Sequence, residues 1–267
     1  MSETNETVLI TGASSGIGEA LAWVFAEHGH DMILVARSAG KLDQLADELA
    51  AEHNVMVSVR PLDLAEPDSA GDLARVLHRE GQQVDILVNN AGVLEHGAFV
   101  DMAPEDHQRM VQLNVAGLTA ILAHFVPSMA DRESGRVLNV ASIGAFQPVP
   151  SLATYAATKA YVLSLSESLA EELAGTGVSV TALCPGVTAT NMVATAQQKS
   201  GGLKIPDFIV GDVQDVAAQG YRACLKGDAI CVPGAVNLAA TLTGRATPKW
   251  LLRRISGVMA RYTLKKE

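Results

Sequence analysis

Three cysteines, Cys184, Cys224 and Cys231, are all that the 267-residue chain carries. An odd number without metal-ligand spacing excludes a disulfide framework and a zinc site, so reduced thiols and no metal are expected. Charge is also scarce. Charged residues make up 18% of the chain against 48% hydrophobic ones, which excludes a disordered chain. Basic residues are outnumbered, 20 against 29, and the net charge of −9 speaks against nucleic acid as a partner. No apolar run reaches the roughly 18 residues of a membrane span. The start, MSETNETVLITG, lacks the charged-then-apolar layout of a signal peptide. A cytoplasmic protein is the expectation.

What the chain does have is a regular alternation. Short β-rich runs at residues 7–11, 31–36, 55–60, 84–89, 135–140, 178–183 and 229–232 are separated by helical stretches at 17–28, 40–53, 68–79, 104–131 (interrupted near Asn114), 154–173 and 213–226. Nearly continuous apolar strands divided by helices imply a parallel sheet covered on both faces. The predicted fold class is therefore α/β: a single-domain, doubly wound, Rossmann-like parallel sheet of about seven strands. The core is expected over residues 5–233, without linker or repeat.

Between the first strand and first helix stands TGASSGIG, residues 11–18. Gly12, Gly16 and Gly18 suit a tight turn, close approach of a pyrophosphate, and helix–strand packing. The helix N-terminus beyond, with Ser15 and Ile17, offers N–H groups and a positive dipole end to phosphates. At the tip of the second strand an acid would hold the ribose 2′-hydroxyl of NAD. Here LVARS places Arg37 there, with no carboxylate beside it in sequence, which favours NADP(H) over NAD(H). Ser14 offers a further hydroxyl. Asp63 and Leu64 follow the third strand, and Asn89, Asn90, Ala91 and Gly92 end the fourth, where open α/β sheets bind ligands. Asp63 alone is equally readable as a helix cap, and Asn90 as a partner for turn backbone.

With these residues the chain resembles the short-chain dehydrogenase/reductase family over nearly its whole length. TGxxxGxG stands at residues 11–18, NNAG at 89–92 and YxxxK at Tyr155 and Lys159, with Ser142 upstream, Asn114 earlier, and Pro185, Gly186 and Thr188 later. The resemblance implies Tyr155 as general acid/base, Lys159 as its electrostatic tuner and ribose ligand, Ser142 as holder of the substrate oxygen, and Asn114 as support for a water chain. It implies that Asp63, Leu64 and Asn90 hold the cofactor, with Val187 and Thr188 on the carboxamide side. It also implies a homodimer or homotetramer. Independently, a free phenol titrates near 10. An ammonium at i+4 shares its helix face, and with an oxidised nicotinamide is expected to lower that value. An NADP(H)-dependent oxidoreductase for a small-to-medium, mostly apolar ketone, aldehyde or secondary alcohol follows. A hydroxy-acid (serine-type) or hydroxysteroid dehydrogenase and a non-enzymatic nucleotide-binding protein are the alternatives.

Leu94, His96, Ile143, Ala145, Phe146, Gln147 and Val149 are candidate pocket residues, His96 at the rim or in a solvated loop. Residues 186–212, with Met192, read as a substrate lid or a plain connector. There, Lys199 and Lys204 are the cations an acidic substrate would need. From Arg245 onward seven residues are basic and one acidic. That 245–267 extension, with Trp250, Leu251, Ile255, Val258, Met259 and Tyr262 along one helical face, fits packing on the body or a subunit, capping of the cleft, or weak contact with an anionic membrane surface.

Overall fold

A computed structural model describes residues 6–188, 211–235, 237–239, 241 and 254. Seven parallel strands form one sheet: β1 (Thr7–Thr11), β2 (Asp31–Ala36), β3 (Val57–Pro61), β4 (Ile86–Asn89), β5 (Gly135–Val140), β6 (Val178–Leu183) and β7 (Ile230–Cys231), in the order β3-β2-β1-β4-β5-β6-β7. The central strands are buried on both faces because helices cover both. α1 (Gly16–Glu27), α2 (Ala39–His53) and α7 (Val213–Lys226) pack on one face, through Leu21, Phe25, Leu42, Leu49, Val216 and Tyr221. α3 (Ser69–Arg79), α5 (Leu118–Asp131) and α6 (Ala153–Glu172) cover the other, through Leu73, Leu77, Ile121, Phe125, Val162 and Leu163.

Strand boundaries differ slightly from the sequence reading. β3 starts at Val57 because the Met56 N–H bonds the Asp31 carboxylate. β4 starts at Ile86, after Asp85 has turned its carboxylate onto the Thr7 N–H at 2.9 Å. The helix running from α4 (Pro104–Val111) into α5 is not broken near Asn114. It widens into a π-helical segment, Gln112–Gly117, a local expansion that helices often carry at functional sites. At Gly117 this brings the backbone against the Leu64 carbonyl, where a Cβ would stand 2.4 Å from the oxygen. The helical run Pro104–Asp131 has the length and hydropathy of a membrane span. Its apolar face (Met110, Leu118, Ile121, Met129) lies in the core.

Three side chains cross the interior between β4, β5 and α6. Asn89 donates to Asn139 Oδ1 at 2.9 Å, Asn139 donates to Ser166 Oγ at 2.9 Å, and Ser166 donates to the Val162 carbonyl at 2.7 Å. Asn139 and Ser166 are fully buried, so each polar atom depends on its neighbour. Truncation of the middle member leaves the Asn89 amide without its acceptor and takes from Ser166 the donor it accepts from. We expect Asn139→Ala to cost about 3 kcal/mol and Ser166→Ala about 1 kcal/mol, with the double variant below their sum. Denaturant midpoints at constant m-value test this ordering.

Candidate active site

The chain runs outward from β1 through β2 to β3, then returns to place β4 on the other side of β1. Loops leaving β1 and β4 therefore diverge, and a crevice opens at their carboxyl ends. A cleft of about 440 Å³ lies there.

Its floor is the glycine turn. Gly12 has φ +67°, and a Cβ on it would come within 2.8 Å of Ala91 Cα and Asn90 Nδ2. Gly18 does not line the cleft; a Cβ there would stand 2.4 Å from the Gly12 carbonyl oxygen, so it serves helix–strand packing instead. Ser15 is the N-cap of α1 but accepts no bond from the first turn, which leaves those N–H groups facing a side of the cleft lined by Ser14, Ser15, Gly16 and Ile17. A turn without Cβ atoms, followed by uncapped N–H donors, fits the phosphates of a dinucleotide.

Thr11 holds this turn to β4, and the sequence reading missed it. Its Oγ accepts from the Asn90 and Ala91 N–H groups, both at 3.0 Å, while donating to the Val88 carbonyl. Asn90 returns the link, donating to the Thr11 and Gly12 carbonyls at 3.0 and 3.1 Å. Both readings of Asn90 thus hold: it lines the cleft and pairs turn backbone. Asp63 does not cap α3, whose N-cap is Asp68; it accepts the Ala65 N–H at 3.0 Å. Arg37, at the tip of β2, is largely exposed and lines the same end of the cleft. The fold supplies the carboxylate that sequence adjacency did not show: Asp63 Oδ2 lies 3.7 Å from Arg37 Nη1.

At the other end Ser142, just past β5, caps the short 3₁₀ turn Ile143–Phe146, its Oγ accepting from the Gly144 N–H at 3.1 Å. Tyr155 and Lys159 project from the first turns of α6 into the same space. Lys159 is buried and donates to the Val140 carbonyl at 2.7 Å, with Nζ 5.9 Å from the Tyr155 ring centre. Burial pulls its ammonium down from 10.5 to about 8, against a smaller upward contribution from Cys184. The Tyr155 phenol is pushed up by burial, which outweighs the opposing hydrogen bond with Ser142. Among the chain's own groups desolvation dominates, because Lys159 spends its reach on Val140.

Asn114 stands behind the cleft surface. Its Oδ1 accepts from the Val93 N–H and its Nδ2 donates to the Val93 carbonyl, both at 2.9 Å, and to Thr158 Oγ at 3.1 Å. A Cβ on Gly92 would meet Asn114 Oδ1 at 3.2 Å and Lys159 Nζ at 3.5 Å, so both polar ends converge on that glycine. Leu64, Ala91, Pro185, Gly186, Val187 and Thr188 line the cleft as expected, as do Leu94, Ile143, Gln147 and Val149. His96, Ala145 and Phe146 do not line it. Leu113 and Leu152 do; their places beside Asn114 and before Tyr155 were the available signals. Met192, Lys199 and Lys204, with most of the 186–212 segment, lie outside the described residues, as does the 245–267 extension except Arg254.

Comparison with known proteins agrees with this geometry. The short chain dehydrogenase family model matches residues 6–201. The oxidoreductase UcpA of Salmonella typhimurium is 39% identical over 200 residues, 74% of each chain. A short-chain dehydrogenase from Sphingobium yanoikuyae, solved in complex with NADPH, superposes with a TM-score of 0.80 at 32% identity, covering 96% of this chain and 95% of that one. The bulky-bulky ketone specific alcohol dehydrogenase of Comamonas testosteroni does so at 0.77 and 32% identity, covering 91% and 93%. Sheet order, glycine turn, clustered Ser142, Tyr155 and Lys159, and a family match over most of the chain have one reading: the protein is an oxidoreductase of the short-chain dehydrogenase family.

Proposed function

We propose that the protein is an NADP(H)-dependent carbonyl reductase or secondary alcohol dehydrogenase for small-to-medium, mostly apolar substrates. The observation that carries this reading is the cleft's division of labour: phosphate-suited backbone and Arg37 at one end, Ser142, Tyr155 and Lys159 against an apolar wall at the other. The wall is Val93, Leu94, Leu113, Ile143, Val149 and Leu152. Among the described cleft residues the cations are Arg37 and Lys159, and neither is left over for a substrate carboxylate. The NADPH complex of the Sphingobium protein and the bulky-ketone specificity of the Comamonas enzyme lean the same way. The protein is further proposed to be cytoplasmic and to work as a homodimer or homotetramer.

A bound nicotinamide dinucleotide supplies hydride transfer and, when oxidised, a positive charge. The chain's own groups handle the proton. A raised phenol keeps Tyr155 protonated at neutral pH, ready to donate to a carbonyl oxygen. Ser142 Oγ offers that oxygen a second hydrogen bond as negative charge develops. Lys159 holds a positive charge beside the phenol below about pH 8, which offsets the charge left when the proton departs. Asn114 positions Val93 and Thr158, and through Thr158 the turn of α6 that carries both residues.

Three outcomes follow. Tyr155→Phe keeps the ring and removes the proton, so kcat should fall by about 10²–10⁴-fold with NADPH and any accepted ketone. Parent-like turnover by that variant would end the mechanism. Arg37→Asp replaces a charge-assisted contact to a 2′-phosphate with repulsion, so the NADP:NAD ratio of kcat/KM should drop by about 100-fold. Lys159→Met should abolish most activity yet stabilise the fold at pH 7. The ammonium titrates at 10.5 in the unfolded chain and at about 8 in the fold. The unfolded state therefore holds more protons between those values, and the penalty is fully present below pH 8 and gone above 10.5. It amounts to roughly 3 kcal/mol. Unfolding curves at pH 7 and 10 should show the variant's advantage shrinking as pH rises.

A further inference from the structure

We propose that His107 is a positioning residue that clamps the substrate-side wall of the cleft to the first turn of α6. The wall belongs to the loop between β4 and α4, which supplies Val93 and Leu94 to the cleft. The tip of that loop has little apolar packing to hold it, since Phe99 is 63% and Val100 88% exposed. Polar contacts do the holding. The Gly97 N–H donates to the Ser151 carbonyl at 3.0 Å, and Arg109 reaches Glu95 at 3.1 Å.

His107 lies at the centre. Its Nε2 is 3.3 Å from the Phe99 carbonyl, its Nδ1 is 2.7 Å from Thr154 Oγ, and its ring stacks on Phe99 at 4.4 Å. A carbonyl can only accept, so Nε2 carries a hydrogen and donates to Phe99, while Nδ1 pairs with the Thr154 hydroxyl. One ring thus joins the loop backbone to the residue immediately before Tyr155. The wall that meets the substrate and the turn that carries the phenol are set relative to each other through one imidazole ring. A shift there moves the width of the apolar pocket more than it moves the dinucleotide end, which Thr11 and Asn90 hold separately.

The inference rests on the proposed activity for its kinetic consequence, so the test has one arm that needs no activity. Compare the parent with His107→Leu, His107→Gln and Thr154→Val by amide hydrogen exchange over residues 93–103 and by kcat/KM for a bulky and a small ketone. Leucine fills space without bonds; glutamine keeps one donor and one acceptor at similar separation. His107→Leu should raise exchange in 93–103 about tenfold, the loss of one bond. It should raise KM for the bulky ketone about fivefold to tenfold, leaving small-ketone kcat and NADPH KM unchanged. His107→Gln should restore both readouts to within about twofold, Thr154→Val should match His107→Leu, and the two together should add nothing further. Unchanged exchange, a glutamine variant that tracks leucine, or independent losses in the double variant would overturn the clamp. A parent that reduces no ketone would overturn the proposed function instead, and the exchange arm would still decide the clamp.

Discussion

A seam of buried polar contacts fixes α6 against the carboxyl end of β5 and the π-helical segment, and the chemistry of the cleft depends on it. Apolar burial is non-directional and would let this helix slide. Ser166 meeting Asn139, Lys159 meeting the Val140 carbonyl and Thr158 meeting Asn114 do not allow that. A shift of one residue would leave several of these groups buried and unpaired, each costing about 1–3 kcal/mol. The buried face of α6 therefore mixes Val162 and Leu163 with Thr158, Lys159 and Ser166.

The crevice itself is a consequence of topology, but its usable shape comes from the joint between β1 and β4. Strands that diverge would leave loose loops. The exchange between Thr11 and Asn90 ties them within one residue of the glycine turn, so the phosphate-suited backbone inherits the rigidity of the sheet. The substrate-side wall at the opposite end is held differently. There the loop after β4 depends on side chains from α4 and on Asn114 within the π-helical segment. Nucleotide binding is a demand shared by many dehydrogenases, and pocket shape is not. The rigid joint lies at the first and the side-chain clamps at the second.

Local pattern carried most of the fold into the sequence. Continuous apolar runs such as ILVN and DMILVA suit central parallel strands between two helix layers, and both are. The YxxxK spacing placed Tyr155 and Lys159 on one helix face, and both line one cleft with Ser142. What could not be read depends on distances between distant segments. Asp63 meets Arg37 because β2 and β3 pair in register, with Ala36 opposite Pro61, which no local window contains. His96, at the rim or in a solvated loop by sequence, does not line the cleft, whereas Leu94 two residues earlier does. For the same reason a helical wheel shows the ammonium beside Tyr155 but not the depth at which the phenol is buried.

Burial sets the two central groups in opposite senses, raising the phenol and lowering the ammonium. Both become less charged, as a dry site requires. An unmodified phenol and ammonium differ little in their ordinary values, near 10 and 10.5. Within the cleft they are driven apart, so that near neutral pH one is firmly a proton donor and the other stands close to losing its charge. The hydrogen bond with Ser142 opposes the rise at Tyr155, and a substrate oxygen binding between them would inherit that bond. The destabilised ammonium is then most useful at the moment the phenol gives up its proton, when the new phenolate restores to Lys159 the counter-charge that burial denies it.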